Sequence, residues 1–313
     1  MTTSMQRLLL LANPASSQFT GGVHRTVARI LSRTFEVEAV WPQSPLHARQ
    51  LTEHAVSDGI DVVAAMGGDG VVHHVGQALV GTDTALAVIP TGTTNVYSRL
   101  YGIPRKPAPA ARLLQSDNRR VQVPVLSIEG INDAGPSRRH VLFAAGFGFD
   151  AEVVKAAEGE PYRKYWFGGL HYARSAVTTL VREFRGRQPN IRIAADGRTA
   201  EAVAVLVQFH PFYTYFGRLA LTLATQPPAP MTLLIAEGLP MRRLPRITAS
   251  ILARRNLGAI PGLTVWEGVD QFSIAADPPA EGQADGELTG TWKEGNGSFT
   301  AEAIQLVVPT ESW

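Results

Sequence analysis

The sequence has no cysteine among its 313 residues. Disulfide bonds, thiolate metal sites and cysteine nucleophiles are therefore excluded, while either redox compartment stays open, because a chain without thiols tolerates both. An excess of one charge is also missing. The 25 arginines and 4 lysines nearly balance 27 acidic residues, which leaves a net charge of +2. This excess is too small to indicate nucleic-acid binding, so we expect no nucleic-acid partner.

Long apolar runs are absent as well. The longest run near the N-terminus, Leu8–Ala12, has five residues, whereas a signal-peptide core needs about 7–15 and a membrane span about 20. We therefore expect a cytoplasmic protein without a transmembrane segment, which at most lies peripherally on the inner face of a membrane. Hydrophobic residues make up 45% of the chain, enough for a folded core, and the length suits one large or two ordinary domains.

Several familiar nucleotide-binding signatures do not occur. The sequence lacks Gly-x-x-x-x-Gly-Lys-Ser/Thr, both the His-Arg-Asp and the Asp-Phe-Gly signatures of protein kinases, and a Gly-x-Gly-x-x-Gly motif after its first predicted strand. The chain is therefore not a P-loop enzyme or a typical protein kinase. Phosphate binding would therefore have to come from other glycine-containing loops.

The first 120 residues alternate between short apolar strands and amphipathic helices. The predicted strands are 8–12, 37–41, 60–66 and 85–89, and the predicted helices are 23–31, 45–58, 71–80 and a segment ending near 100. Ser44 followed by Pro45 is a helix-start signal. Because the connections are short, this alternation predicts an α/β domain, residues 1–120, with a parallel sheet covered by helices on both faces.

The composition changes near residues 105–120, and strands dominate the remainder. Strands are predicted at 121–128, 140–145, 191–195, 202–209, 219–224, 231–236, 263–266, 271–275 and 303–308, and helices at 164–185 and 244–256. Asp196-Gly197 and Asp285-Gly286 are hairpin signals. We therefore expect a second, mostly β, sandwich-like domain at 121–313. For the last 15 or so residues, packing back on the first domain is kept as an alternative.

One glycine-rich loop follows the third predicted strand and precedes a helix. It consists of Gly67, Gly68, Asp69 and Gly70. Glycines at such a place let the backbone approach a ligand and let successive N–H groups converge on phosphate oxygens, and the helix that follows adds its dipole. Asp69 is a candidate metal ligand or partner of a ribose or phosphate. A plain strand-to-helix turn explains the four residues equally well.

A second polar loop follows the next strand. It supplies Thr91, Gly92, Thr93, Thr94 and Asn95, and the first predicted strand ends at Asn13. Because the carboxyl ends of parallel strands meet at one edge of a sheet, where ligands of such folds bind, we expect all three loops to meet there. Three polar loops at one rim favour a nucleotide site over three unrelated turns.

Five short motifs occur in a set order along nearly the whole chain. They are Asn13-Pro14, Gly67–Gly70, Pro90–Asn95, Gly146–Ala151 and Asp285–Glu287. Each motif is weak alone, but their order and spacing are specific. The combination resembles the catalytic domain of diacylglycerol kinases and, more closely, the bacterial soluble lipid kinases of the diacylglycerol and sphingosine kinase family.

The resemblance implies an ATP- and Mg²⁺-dependent transfer of the γ-phosphoryl group to a hydroxyl of a diacylglycerol-like or sphingoid lipid at a membrane surface. The nucleotide is expected in a cleft between the domains, held by Asn13 and the two loops. The family pattern implies that Glu287 takes the hydroxyl proton and that Asp285 assists the metal or the geometry. Asp69 and Asp285 are then the expected Mg²⁺ ligands. From the residues alone, Asp285-Gly286 is a type I′ hairpin turn.

Several positions depart from the family pattern. Val71 stands where the family has threonine, His74 where it often has glutamate, and Val96 where it often has aspartate. The segment 226–235 lacks the aspartates of the structural magnesium site, so we expect no such site there. These differences leave open whether catalysis is strong.

Two other functions stay open. Nicotinamide-dinucleotide kinases share the Gly-Gly-Asp-Gly loop, but they resemble each other in an Asn-Glu pair that this sequence lacks. The other open function is that of a nucleotide- or lipid-binding protein with weak or no catalysis. An aromatic cluster at 209–216 and a basic amphipathic stretch at 242–255 suit lipid contact, yet a core and a solvated helix explain them better. The lipid, the number of Mg²⁺ ions and the oligomeric state, a homodimer included, stay undetermined.

Overall fold

A computed structural model describes residues 5–116, 118–158, 187–216, 219–223, 230–238, 243, 246–247, 249–250, 253 and 255–310. These residues divide into two units. Unit 1 contains the described residues up to Val125 together with those from Ala301 onward, and unit 2 contains those from Leu126 to Thr300. Within the described ranges, no helix has both the length and the apolar character needed to cross a bilayer.

Unit 1 alternates strands and helices. Its elements are β1 (Gln6–Ala12), α1 (Gly21–Leu31), β2 (Phe35–Val40), α2 (Pro45–Ser57), β3 (Val62–Gly67), α3 (Asp69–Leu79), β4 (Ala85–Pro90), α4 (Val96–Leu100) and α5 (Pro107–Leu113). The strands pair in parallel in the order β2-β1-β3-β4. Every residue of β3 and β4 is buried, which is typical of a parallel sheet covered on both faces. The predicted α/β fold of this part is confirmed.

Helix caps explain where two of these helices begin. The hydroxyl of Thr20 accepts a hydrogen bond from Val23 N at 3.1 Å before α1. The hydroxyl of Ser44 accepts one from His47 N at 3.1 Å, and Pro45 occupies the first position of α2. Each cap satisfies an amide that has no partner inside its helix. The start of α2 predicted at Ser44-Pro45 is confirmed.

Unit 2 is mostly β, as predicted. The elements from the end of α5 onward are β5 (Asn118–Asn132), β6 (Gly135–Val141), β7 (Ala144–Gly148), α6 (Phe149–Glu158), β8 (Ile191–Ala195), β9 (Arg198–Ala202), β10 (Ala204–Gln208), β11 (Thr214–Phe216), β12 (Leu219–Leu221), β13 (Met231–Ala236), β14 (Leu263–Val269), β15 (Gln271–Ala284) and β16 (Glu287–Pro309). β5 begins in unit 1, and β16 ends there, where Leu306 pairs in parallel with Leu86 of β4.

The strands of unit 2 pair antiparallel in the order β14-β13-β10-β7-β15-β16. β8 pairs with β15 and β9, and β5 pairs with β6 and β16. Phe147 contacts Phe272 and Trp292 edge-on, with ring centroids 6.5 and 6.3 Å apart, and all three side chains are buried. These aromatic rings anchor the apolar core beneath β7 and β15.

Two predicted strands of unit 2 are interrupted. The single strand predicted at 140–145 is wrong, because β6 ends at Val141 and β7 begins at Ala144. Between them, Leu142 and Phe143 donate their N–H groups to the Asp285 carboxylate rather than to a strand. The prediction at 202–209 breaks at Val203, whose N–H donates to Ala236 O at 2.8 Å. The hairpin predicted at Asp196-Gly197 is confirmed between β8 and β9.

Two further predicted strands of this half are longer than predicted, and two predicted helices lie outside or only partly within the described residues. The predicted strands at 271–275 and 303–308 are parts of the longer strands β15 and β16. The helix predicted at 164–185 lies outside the described residues, and only a few of the residues at 244–256 lie within them.

Candidate active site

Three loops of unit 1 meet at the carboxyl edge of its parallel sheet. Thr91 N donates to Gly67 O at 2.9 Å, which joins the loop after β4 to the loop after β3. Gln18 joins the loop after β1 to both, because its backbone N donates to Thr91 O and its side-chain Nε2 donates to Gly92 O, each at 2.9 Å. The structure therefore brings together the three loops that the sequence places at one rim.

Gly92 is required for the close approach of two of these loops. A Cβ atom on Gly92 would lie 2.6 Å from the Cα of Gly68 and 2.8 Å from Oδ1 of Asn95. Gly67 is similarly tight, since a Cβ there would lie 2.4 Å from Cγ2 of Val71. The glycines at 67 and 92 thus serve backbone proximity, one of the two uses that the sequence predicts for glycine in these loops.

Asn95 closes the second loop from within. Its backbone is left-handed, with φ of 49°, a conformation that asparagine tolerates better than most residues. Oδ1 accepts a hydrogen bond from Gly92 N at 3.1 Å, and Nδ2 donates to Gly92 O at 2.8 Å. The buried carboxamide therefore replaces a peptide group of a tight turn and shapes the backbone that a nucleotide would meet.

Asp69 links the first loop to the helix that follows the second. Its Oδ2 accepts a hydrogen bond from Val96 N at 2.9 Å, and its Oδ1 accepts one from Tyr97 N at 3.1 Å. These are the first amides of α4, which have no partner within their own helix. The geometry supports a positioning role for Asp69, whereas the sequence predicts contact with a metal or a nucleotide.

The remaining predicted residues of unit 1 line the same loops. Asn13 accepts a hydrogen bond from Ala15 N through Oδ1 at 2.9 Å, which makes a local turn after β1. Oγ1 of Thr93 lies 3.3 Å from Oγ of Ser17. Thr91 is fully buried, and its hydroxyl has no hydrogen-bond partner. Gly70 lies in the first turn of α3, and Thr94 is half-buried in the second loop.

These loops fit a nucleotide phosphate. Buried hydroxyls in folded proteins normally have a partner, so the unpaired hydroxyl of Thr91 is a donor that a bound oxyanion would satisfy. The backbone around Gly68 and Gly92 carries no side chain that would block an approaching phosphate, which suits binding by main-chain amides. Thr91, Gly68 and Gly92 therefore support the predicted location of the nucleotide.

In unit 2, Asp285 and Gly286 form the two-residue turn between β15 and β16. Their φ angles of 56° and 83° match a type I′ turn, which needs positive φ at both central positions. Glu287 opens β16 directly after the turn, pairs with Ala284 across the ladder, and is partly exposed. The predicted hairpin is confirmed, while the role of Glu287 as a base stays a prediction.

The Asp285 side chain turns back into unit 2 and is only 4% exposed. Its Oδ2 accepts a hydrogen bond from Leu142 N at 2.8 Å, and its Oδ1 accepts from Phe143 N at 2.8 Å and from Ala144 N at 3.2 Å. A carboxylate bound by three backbone amides holds the segment between β6 and β7 against the hairpin. The contacts therefore favour the geometric one of the two roles predicted for Asp285, while its part in catalysis stays a prediction.

The assignment of Asp69 and Asp285 as Mg²⁺ ligands stays a prediction. Asp69 and Asp285 belong to different units, and each carboxylate is engaged by backbone amides. Among the residues that the structure describes, no three histidine, aspartate or glutamate side chains are grouped so that they could hold a metal ion.

A polar cluster of two buried side chains and one partly buried carboxylate, which sequence reasoning missed, lies next to the Asp285-Gly286 turn. Oδ2 of Asp150 accepts hydrogen bonds from the Tyr213 hydroxyl and from Nε2 of Gln283, each at 2.5 Å. Oε1 of Gln283 in turn accepts from Gly286 N at 2.9 Å. Burial raises the pKa of Asp150, and the hydrogen bonds from Tyr213 and Gln283 partly offset that rise. We name Asp150, Tyr213 and Gln283 the polar triad.

His210 contacts the segment between β6 and β7 that also binds Asp285. The imidazole is buried, and its Nε2 lies 2.8 Å from the carbonyl oxygen of Leu142. Burial lowers the pKa of His210 to about 4, although the Leu142 carbonyl and the Asp285 charge both act to raise it. Because a carbonyl oxygen only accepts, the neutral imidazole donates its Nε2 proton to Leu142.

Unit 2 is expected to lose stability on mild acidification because of His210. Its pKa is 6.5 when unperturbed and about 4 when folded, so between these values the unfolded chain binds more protons and acid favours unfolding. The expected loss is about 2 kcal/mol at pH 5 relative to pH 7. Asp150 acts in the opposite direction, since its raised pKa makes the folded state the tighter proton binder.

Urea denaturation at pH 5, 6 and 7, followed by tryptophan fluorescence, compares the wild type with His210→Gln. The glutamine keeps an N–H donor for Leu142 but does not titrate, so the variant isolates the histidine contribution from that of Asp150. A flatter dependence of unfolding free energy on pH is expected for the variant. Parallel curves for the two proteins would contradict the assignment.

The architecture first defines the class of fold. The structure described as a diacylglycerol kinase from Bacillus anthracis str. Sterne superposes with a TM-score of 0.74 at 19% identity, over 98% of each chain. A yeast NADH kinase solved with NADH gives a TM-score of 0.50 at 10% identity, over 99% of this chain and 85% of the other. The fold is therefore one that a diacylglycerol kinase adopts, and it is more distantly similar to that of a dinucleotide kinase.

The sequence is similar to the same class of proteins. The model of the diacylglycerol kinase catalytic domain matches residues 7–126, as the motifs predict. A diacylglycerol kinase of Mycobacterium tuberculosis is 32% identical over 202 residues, which are 64% of this chain and 62% of the relative. The chain thus matches less than two thirds of the length of that relative.

Proposed function

We propose that this protein is an ATP-dependent lipid kinase that transfers the γ-phosphoryl group to a lipid hydroxyl. The observation that carries the proposal is the junction of three loops at the sheet edge through Thr91 and Gln18, with Gly68 and Gly92 in close approach. This junction lies within residues 7–126, which carry the family's catalytic-domain sequence. The names of the relatives support a lipid as the acceptor.

In the proposed reaction, the loops of unit 1 hold the phosphates through backbone amides and the Thr91 hydroxyl. The lipid hydroxyl oxygen forms a bond to the γ-phosphorus as the bond to the β-phosphate oxygen breaks, so ADP leaves. Glu287 accepts the hydroxyl proton. Mg²⁺ enters the proposal only as a counter-ion of the nucleotide phosphates, because the carboxylates of Asp69 and Asp285 are engaged by amides.

Nucleotide binding with weak or no transfer is a second candidate, which two substitutions favour. Val71 and Val96 replace polar residues of the family pattern, and both valines are buried. Val71 packs directly against Gly67, so a hydroxyl that the family places there is exchanged for apolar packing beneath the loop. Such packing preserves the loop but supplies no hydrogen bond to a ligand.

A single assay separates these candidates. The full chain is incubated with ATP labelled at the γ-phosphate, Mg²⁺ and detergent-dispersed diacylglycerol or sphingosine, with NAD in a parallel reaction. Label in the lipid supports the proposed function. Label in NAD alone would overturn it in favour of a dinucleotide kinase, and ATP binding without any labelled product would favour the second candidate.

Asp69→Ala is expected to weaken ATP binding roughly 10-fold, since charge-assisted hydrogen bonds contribute about 1.5–3 kcal/mol and their loss releases α4 from the first loop. Asp69→Asn keeps one acceptor oxygen and is expected to show a smaller loss. Isothermal titration with ATP, in Mg²⁺ and in EDTA, is the measurement. If Asp69 acts by positioning, the loss is similar in both buffers, whereas a loss confined to Mg²⁺ would restore the metal-ligand assignment.

A further inference from the structure

The polar triad lies against the turn that carries Glu287. We propose that Asp150 is a positioning residue, which fixes the orientation of the Gln283 carboxamide and, through it, the Asp285-Gly286 turn. The effect on turnover rests on the proposed function. The effect on the turn itself does not, so the two can be tested separately.

The first step is the direction of the Gln283 carboxamide. Gly286 N donates to Oε1 of Gln283 at 2.9 Å, while Nε2 of Gln283 donates to Oδ2 of Asp150 at 2.5 Å. A carboxamide accepts at one end and donates at the other. Its oxygen can face the turn only if its nitrogen finds an acceptor on the opposite side, and the carboxylate of Asp150 supplies the shorter of the two contacts made there, the other being to the Tyr213 oxygen at 3.1 Å.

The second step is the position of Asp150 itself. The Tyr213 hydroxyl donates to Oδ2 of Asp150 at 2.5 Å, and Nε2 of Gln283 also lies 3.1 Å from the Tyr213 oxygen. Tyr213 and Gln283 are both buried. The carboxylate oxygen is thus held by two donors from separate parts of the chain, which makes its place well defined.

The third step is the space in which the carboxylate lies. A Cβ atom on Gly146 would lie 2.3 Å from Oδ2 of Asp150 and 2.9 Å from its Cβ. The carboxylate therefore occupies volume that any side chain at position 146 would take. β7 has glycine at this point, directly opposite Gln283 in the ladder, so the strand leaves room for Asp150 to reach Gln283.

The fourth step is energetic. Burying a carboxylate costs free energy, as the raised pKa of Asp150 shows, and an apolar residue of similar size often stabilises such a site better. Phe147 and Trp292 belong to the hydrophobic core cluster of this unit. A partly buried carboxylate here is accounted for by what it orients, namely the amide that binds Gly286 next to the proposed base.

Asp150→Leu and Asp150→Asn form the main comparison. Leucine has similar volume but no acceptor, whereas asparagine keeps an oxygen that both donors can reach. Hydrogen exchange of the Gly286 amide, measured by NMR, is expected to accelerate at least about 10-fold in Asp150→Leu and to stay within about 3-fold in Asp150→Asn. The Gly197 amide, in a turn of the same type with positive φ at Asp196 and Gly197, is the internal control.

Turnover provides the second readout. Asp150→Leu is expected to lower kcat at least about 10-fold with KM for ATP unchanged, and Gln283→Leu is expected to match it. The double variant should show no further loss, because both changes break one chain of contacts. If Asp150→Leu does not fold, Tyr213→Phe and Gln283→Leu, which keep Asp150, carry both measurements.

The outcomes separate the two proposals. Unchanged Gly286 exchange in a folded Asp150→Leu or Gln283→Leu variant would overturn the positioning role, and so would unchanged kcat in an active enzyme. A wild type without transfer activity would count against the lipid-kinase function. In that case, faster exchange at Gly286 alone would still support the positioning role of Asp150.

Discussion

Glu287→Gln is expected to lower phosphoryl transfer by about 10²–10⁴-fold while ATP affinity stays within about 2-fold. Glutamine has the shape of glutamate but cannot take a proton from the acceptor hydroxyl. Glu287 begins β16 directly after the Asp285-Gly286 turn. Both turn residues have positive φ, and the Asp285 carboxylate holds the turn through its contacts with backbone amides. The expected pattern is therefore loss of the chemical step without loss of the nucleotide site.

Single-turnover transfer and ATP titration, performed on the same preparations, provide the measurement. Glu294→Gln is the matched control, because Glu294 is an exposed carboxylate on the same strand, opposite Ala275. It is expected to behave as the wild type. Equal loss of turnover and ATP binding in Glu287→Gln would reject the assignment of Glu287 as the base.

The architecture of unit 1 is largely predictable from local sequence, because its signals are short-range. β3 and β4 are continuous apolar runs that end in glycine or proline, and both are fully buried. Parallel strands connected by short loops bring their carboxyl ends to one edge. For this reason the meeting of the loops after β1, β3 and β4 follows from the order of elements alone.

The partners of the site carboxylates are not predictable in the same way. Asp69 binds amides 27 and 28 positions away, and Asp285 binds amides more than 140 positions away. An aspartate after glycines, or before one, has the same local sequence whether it binds a ligand or the backbone. Only the tertiary fold distinguishes these cases, and here it engages both side chains with amides.

The two Asp-Gly turns of unit 2 show this limit directly. Both have positive φ at both residues, as the dipeptide predicts. The Asp196 side chain, however, is exposed and lies 2.8 Å from the Arg198 guanidinium, whereas Asp285 is buried beneath three amides. Local sequence determines the turn type, while burial and function depend on what lies across the ladder.

The polar triad was missed for a similar reason, although it left a faint signal. Asp150 comes shortly after the apolar strand β7, and Gln283 lies between Gly282 and Ala284 near the end of β15. Their contact spans 133 residues, so no periodicity connects them. The clue that the sequence offered was Asp150 itself, the one polar residue of the Gly146–Ala151 motif.

Gly92→Ala is expected to weaken ATP binding by roughly 10- to 100-fold, which corresponds to an overpacking cost of about 1–3 kcal/mol. The added Cβ would lie 2.6 Å from the Cα of Gly68 and 2.8 Å from Oδ1 of Asn95. The first of these atoms is backbone and cannot rotate away. Either the two loops separate or Asn95 releases the Gly92 amide, and both changes disturb the surface proposed to hold the phosphates.

Gly22→Ala is the matched control for this substitution. Gly22 lies in α1, and the nearest atom to an added Cβ, Oγ1 of Thr20, is 3.8 Å away. Alanine there should leave ATP affinity unchanged and raise the free energy of unfolding by about 0.5 kcal/mol, because alanine favours a helix over glycine. Titration of both variants with ATP and with inorganic triphosphate tests whether the lost affinity belongs to the phosphates. If a folded Gly92→Ala bound both ligands as tightly as the wild type, the loops at Gly68 and Gly92 would not be the phosphate site.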